Sequence, residues 1–218
     1  MSSASSDRPQ ARAYRSPLRT EQAAETRSRI LDAAAELFAS RGYGGTSLAQ
    51  IADQAGVSIE TVKAGGAKRE LLLASFESSF AGIEGLVSLA DFDPIATITA
   101  DTNNSRYLAG IMHFIAESNR RSSRLWIALV AAAAADHSLA KALDGLQKRR
   151  RSDILVLVDE LRSRGMAPRE VPREAHADAL TFILSPEGYN QLVLDAGWSQ
   201  SDYESWLTRA VTSLPAGP

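Results

Sequence analysis

The chain has no cysteine among its 218 residues, which excludes disulfides and thiolate metal sites and fits a reducing compartment. Aromatic residues make up only 6%, and runs of β-branched and aromatic residues of the kind that build strands are scarce. No apolar run reaches the roughly 20 residues that a membrane span requires. The N-terminus lacks the apolar core of a secretory signal, so a soluble, cytoplasmic protein is expected. The three histidines, His113, His137 and His176, stand far apart without ligand-spaced partners, and no metal is expected. No Gly-rich phosphate loop, Ser/His/Asp arrangement or paired acids in a recognisable setting occurs, so the expectation is a non-enzyme without cofactor.

What the chain has in quantity is alanine and leucine, within a hydrophobic content of 44%. That composition predicts an all-α protein. A stripe of Ile30, Leu31, Ala34, Leu37 and Phe38 predicts a first helix over Glu21–Ser40. Arg41 to Gly45 ends it, Thr46 or Ser47 caps the next, and Ser47 with Gln50 has capping-box form. From Thr46 to Val62 the chain reads as two short helices joined by a tight turn. Ile51, Ala52, Ala55, Val57 and Val62 supply the inner faces, Gly56 the turn, and Ser58 the cap of a recognition helix Ile59–Ala64. Gly65-Gly66 breaks the chain, and helical spacing resumes over Lys68–Phe80.

After a boundary or loop at Asp91-Phe92-Asp93-Pro94, further helices are predicted over Asp101–Glu117, Ser122–Ala134, Asp136–Arg164 and Val171–Leu184. Ser185 caps a restart with Pro186 at its first position. Gly197 ends that piece, and Ser199 with Asp202, or Ser201 with Glu204, caps a last helix reaching Leu214. The resulting division is a basic arm over 1–20, a helix-turn-helix domain over 21–66, a linking helix over 67–90 and a C-terminal domain over 91–218.

The net charge is only −2, but Arg8, Arg12, Arg15 and Arg19 fall in a stretch without acids. Such an arm either tracks phosphates or is an inert terminus. The run Lys148-Arg149-Arg150-Arg151 winds around most of a helix circumference and reads as a solvated face rather than a nucleic-acid patch. Arg120, Arg121 and Arg124 are read the same way, although either group can pair with an anionic effector.

Residues Thr26 to Phe76 resemble the N-terminal domain of the TetR family of bacterial transcriptional regulators. The resemblance is carried by Thr26-Arg27, Ile30-Leu31-Asp32-Ala33-Ala34, Leu37-Phe38-Ala39, Arg41-Gly42-Tyr43, Thr46-Ser47-Leu48, Ile51-Ala52, Ala55-Gly56-Val57-Ser58, Thr61-Val62, and a lysine before Leu71-Leu72-Leu73. The run from Ala177 to Leu180, Ser185-Pro186-Glu187, Tyr189, Gly197-Trp198-Ser199 and Tyr203 to Leu207 is similar to one subset of the family's C-terminal domains.

The resemblance implies an N-terminal helix-turn-helix domain and a larger C-terminal domain for effector binding and dimerisation. It implies a homodimer that binds a palindromic double-stranded DNA operator as a repressor and is released by a small-molecule effector of unknown identity. By resemblance and geometry, Thr46, Ser47, Ser58, Thr61, Lys63 and Lys68 are candidates for phosphate contact. For Ser58 and Thr61 the competing account is capping and packing. Ile59 and Glu60 stand where base edges are read, although an acid facing DNA more often repels phosphate. The candidate dimer interface is Leu180, Ile183, Leu184, Tyr189, Leu192, Trp206 and Val211. Tyr107, Met112, Phe114, Leu125 and Trp126 are candidates for an effector cavity, or else plain core.

The resemblance departs after Val62, where Lys63-Ala64-Gly65-Gly66 replace the family's aromatics. That change removes a phosphate contact and a packing anchor, which Lys63 offsets in part. It also raises an alternative: a dimeric helical protein whose helix-turn-helix binds another protein instead of DNA.

Overall fold

The computed structural model describes residues 17–213 apart from 86, 87, 90 and 91. Its helices are α1 (Pro17–Arg41), α2 (Leu48–Ala55), α3 (Ile59–Ala64), α4 (Lys68–Ala81), α5 (Asp93–Thr99), α6 (Asn104–Ala133), α7 (His137–Ser163), α8 (Arg173–Ile183), α9 (Pro186–Tyr189) and α10 (Gln200–Thr212). No strand occurs among the described residues. The all-α expectation therefore holds. Arg8, Arg12 and Arg15 of the basic arm lie outside the described residues, and residues 17–20 begin α1 instead of belonging to an arm.

The local signals act as their chemistry dictates. Ser47 Oγ accepts the Gln50 amide at 3.2 Å, and Gln50 Oε1 accepts the Ser47 amide at 2.8 Å, a reciprocal capping box. Gly56 takes φ 65° and ψ 39°, a left-handed conformation that costs least without Cβ. Ser185 caps α9 through the Gly188 amide, with Pro186 at its first position. Ser199 caps α10 through the Asp202 amide.

Two expectations need correction. The segments Asp101–Glu117 and Ser122–Ala134 are one continuous helix, α6, because the polar run Ser118 to Ser123 contains no breaker and four of its side chains are buried. Ser122 Oγ donates to the Ser118 carbonyl at 2.7 Å. Asn119 Nδ2 reaches the Leu184 carbonyl and Tyr203 Oη, each at 3.3 Å, which ties α6 to the α8–α9 junction and to α10. The loop expected at Asp91 to Pro94 gives way at Asp93 to α5, with Pro94 in its first turn, and Asp91 lies outside the described residues. Past Tyr189 the chain continues as a π-helical turn over Asn190–Asp195, which Gly197, at φ 75°, ends.

Helix α6, 30 residues long and therefore about 45 Å, is the spine. Its C-terminal half contributes Leu125, Trp126, Leu129 and Ala132 to one apolar cluster with α1 to α4 and Leu139 of α7. Its N-terminal half contributes Tyr107, Leu108, Ile111, Met112 and Ala116 to a second cluster with α7, α8 and α10. The N-terminal cluster thus draws on residues from both sides of position 91.

His176 on α8 is buried, and neither ring nitrogen has a hydrogen-bond partner among the described residues. Burial, and then the nearby Arg162 guanidinium, hold its pKa below the ordinary 6.5. The unfolded state therefore binds the proton more readily, so this contribution to stability is complete above about pH 6.5 and is lost as the pH falls below it. Thermal denaturation from pH 7.5 to 5 is expected to show a falling midpoint whose slope shrinks in His176→Phe. An unchanged slope in that variant would refute the assignment.

Candidate nucleic-acid interface

Helix α3 is a single capped rod. Ser58 Oγ accepts the Thr61 amide at 3.1 Å and lies 3.0 Å from Thr61 Oγ1. Val62 points inward and is fully buried, and Ile59 packs partly against the same core. Ser58, Glu60, Thr61, Lys63 and Ala64 are exposed on the other side. The period of a helix therefore leaves one face for packing and one free face carrying two hydroxyls, one acid and one cation. Helix α2 packs against both α1 and α3, and Ser47 is exposed at its start.

Two of the residues expected at phosphate are placed differently. Thr46 is 2% exposed, and its hydroxyl lies 2.9 Å from the Gly42 carbonyl and 3.1 Å from the Leu37 carbonyl. It closes the α1–α2 turn instead of facing solvent, because those carbonyls at the end of α1 need a donor. Lys68 is half-buried, with Nζ 4.3 Å above the centre of the Tyr43 ring. Its burial lowers its pKa. The ring is itself stacked on Phe38 at 5.9 Å, and the cation–π contact holds a lysine at the first residue of α4, where the helix dipole disfavours it.

Sequence reasoning missed the group that anchors the end of α3. Arg27 Nη1 donates to the Gly65 carbonyl at 2.8 Å, while Nε and Nη2 form a fork with the Glu84 carboxylate at 2.8 Å each. Gly65 has little room for a side chain, since a Cβ there would stand 3.1 Å from Arg27 Nη1. Gly66 takes φ 131°, open to glycine and strained for other residues. The glycines thus let a guanidinium take over the anchoring role of the absent aromatics. The only signal in the sequence was Arg27 itself within the Thr26-Arg27 pair.

Residues 30–62 match the family described as bacterial regulatory proteins, tetR family. Over this stretch the chain is similar to the tetR family. The matched stretch spans the end of α1, all of α2 and the start of α3, the elements of the helix-turn-helix. No curated protein matches the sequence.

The chain is similar in structure to a TetR-family regulator from Mesorhizobium loti MAFF303099, with TM-score 0.64, 21% identity, and coverage of 87% of this chain and 95% of that one. A transcriptional regulator from Pseudomonas aeruginosa PAO1 aligns with TM-score 0.63 and 16% identity over 85% and 88% of the two chains. MexZ, a repressor responsible for antibiotic resistance in Pseudomonas aeruginosa, aligns with TM-score 0.56 and 24% identity over 89% and 96%. At these identities the likeness shows the fold.

The remaining expected sites fall on the C-terminal half. Leu180, Leu184, Tyr189 and Val211, expected at the dimer interface, are buried in the chain's own second cluster. The helical stripe that suggested an interface serves the monomer core. Ile183, Leu192 and Trp206 are half-buried, and the apolar groups most exposed nearby are Phe182, Leu194 and Trp198. Of the effector set, Tyr107 and Phe114 line a cavity of about 480 Å³ between α5, α6 and α7. Trp126 borders two other voids. Met112 and Leu125 are core. No group of acids, histidines and cysteines able to hold a metal occurs among the described residues, and no helix there is long and apolar enough to cross a membrane.

Proposed function

We propose that the protein is a homodimeric repressor that reads a palindromic DNA site with α3 and releases it when a small molecule fills the C-terminal cavity. The observation that carries this reading is the free face of α3, a capped helix whose packing side is fully used and whose exposed side carries only Ser58, Glu60, Thr61, Lys63 and Ala64. A helix this short contacts few bases, so two copies related by a twofold axis suit the task. The apolar groups left exposed at Phe182 and Trp198, beside Ile183, Leu192 and Trp206, offer a face for the second copy.

A chain of rings supports coupling between the cavity and α4. Phe114, on the cavity wall, meets Phe80 edge-on at 6.3 Å; Phe80 stacks on Phe76 at 6.1 Å, and Phe76 lies 5.5 Å from Trp126. A ligand that repacks Phe114 moves α4, which packs on α1, and α3 follows through Arg27. The ligand shifts the equilibrium only by its difference in affinity for the two arrangements. Because Arg27 secures the end of α3, the departure after Val62 gives little support to the alternative of a helix-turn-helix turned to protein binding.

Selection from a random duplex pool is expected to enrich a twofold-symmetric site. On that site, Lys63→Ala is expected to weaken binding by roughly tenfold and to lower the slope of log affinity against log salt by about 2, one phosphate contact per subunit. An unenriched pool, or a slope that Lys63→Ala leaves unchanged, would count against the reading.

A further inference from the structure

The basic run on α7 is unevenly neutralised. Lys148 pairs with Asp144 at 2.8 Å, Arg149 pairs with Glu77 at 3.0 Å, and Arg151 pairs with Asp178. Arg150 has no carboxylate within ion-pair distance among the described residues. Among the described residues its hydrogen bond is from Nη2 to the Thr181 carbonyl at 2.7 Å. The run is therefore only in part the solvated face its sequence suggests, with Lys148 the most exposed of the four. Arg150 is half-buried, burial disfavours its charge, and it borders the 480 Å³ cavity together with two neighbouring voids. A half-buried guanidinium without an adjacent anion is under-compensated, and a carboxylate supplied from outside provides the missing partner.

The other charged groups at the cavity are already engaged. Asp153 Oδ1 accepts the Ser88 hydroxyl at 2.9 Å and the Leu89 amide at 3.1 Å. Glu160 pairs with Arg164 at 2.5 Å, and Arg164 also lies 3.9 Å above the Tyr107 ring and donates to the Thr99 and Asp101 carbonyls. Glu187, the acid with the largest electrostatic effect on Arg150, accepts Trp126 Nε1 at 2.6 Å. The rest of the wall is apolar, with Ile95, Ile111, Phe114, Ile115 and Leu157 prominent. The cavity thus offers an apolar body and one cation lacking a counter-charge.

We infer that the cavity takes an amphipathic monoanion, an organic acid whose carboxylate pairs with Arg150 and whose apolar part lies among Ile95, Ile111, Phe114 and Leu157. This rests on the effector-responsive reading above and gives its ligand a chemical class. A carboxylate can accept from the guanidinium N–H groups that the Thr181 carbonyl does not take, whereas an alcohol of the same length fills the apolar space without satisfying the charge.

The test uses the full chain and three probes of equal chain length: decanoate, 1-decanol and decyltrimethylammonium. Calorimetry is expected to show decanoate binding at least about tenfold more tightly than decanol. Arg150→Met is expected to erase that preference while leaving decanol binding unchanged, and Arg150→Lys to keep part of it. Equal binding of acid and alcohol, tighter binding of the cation, no binding of any probe, or a preference that survives in Arg150→Met each overturns the inference.

Operator release separates this inference from the reading beneath it. If decanoate binds through Arg150 but leaves DNA affinity unchanged, the acid site stands and the effector reading fails. If a neutral or cationic compound releases DNA equally from wild type and Arg150→Met, the effector reading stands and the acid site fails.

Discussion

Phe182→Glu is expected to convert the proposed dimer to monomers at micromolar concentration and to weaken binding to a two-half-site duplex by about 10²–10⁴-fold, while binding to a single half-site hardly changes. The side chain is 78% exposed on α8, so the substitution removes nothing from the chain's own core. Burying a phenylalanine against a partner contributes roughly 1.5–3 kcal/mol. A glutamate there loses that contribution and faces desolvation, and twofold symmetry applies both effects twice. The DNA term follows because the second recognition helix binds at the high effective concentration set by the dimer, and monomers forfeit it. Leu184→Glu is the informative control. Leu184 is buried within one chain, so its replacement is expected to lower the melting temperature steeply, whereas Phe182→Glu leaves it within a few degrees. Sedimentation velocity and fluorescence anisotropy read the two effects, and a Phe182→Glu protein that sediments as a dimer with full operator affinity removes α8 from the interface.

The contrast between Phe182 and Leu184 also shows where sequence is a good guide. Periodicity placed the apolar stripe of α8 correctly, but it carries no mark to tell a stripe buried in its own chain from one meant for a second copy. The capping box at Ser47, the left-handed Gly56, the Ser58 cap and the Ser185-Pro186 restart were legible because each rests on local chemistry within four residues. Thr46 was misjudged for the opposite reason: its partners are carbonyls four and nine positions back, and only the path of the turn brings them together. Arg27 reaches Gly65 and Glu84 across 38 and 57 positions, a separation no motif spans. Arg150 was hidden among three neighbours of like charge, and what distinguishes it is which acids the fold places beside the other three. Polar residues misled once more at Ser118 to Ser123, where the expected gap between two helices is a continuous part of α6 with four buried side chains.

Phe38→Ala is expected to destabilise the chain by about 3–5 kcal/mol, the range for removing a buried aromatic without collapse of the site. That is a large share of the roughly 5–15 kcal/mol available to a natural domain. Phe38 is fully buried near the end of α1 and supports the Tyr43 ring, which in turn carries Lys68. Its loss therefore acts on two levels. The core that seats α2 and α3 loses packing, and the first residue of α4 loses the ring that holds its charge, so operator affinity is expected to fall more than the population of unfolded chain alone accounts for. Phe38→Leu keeps most of the volume and is expected to recover the greater part of the stability but not the seat of Tyr43. Because Phe38 shares its cluster with Leu125, Trp126 and Leu129 of α6, the damage is not confined to the first 66 residues. Tryptophan fluorescence and far-ultraviolet circular dichroism are expected to report one coincident transition, displaced as a whole in Phe38→Ala. Two separate transitions with only the earlier one displaced would show that α6 does not bind the two halves into one cooperative unit, and with it would go the mechanical route by which a filled cavity can reach the recognition helix.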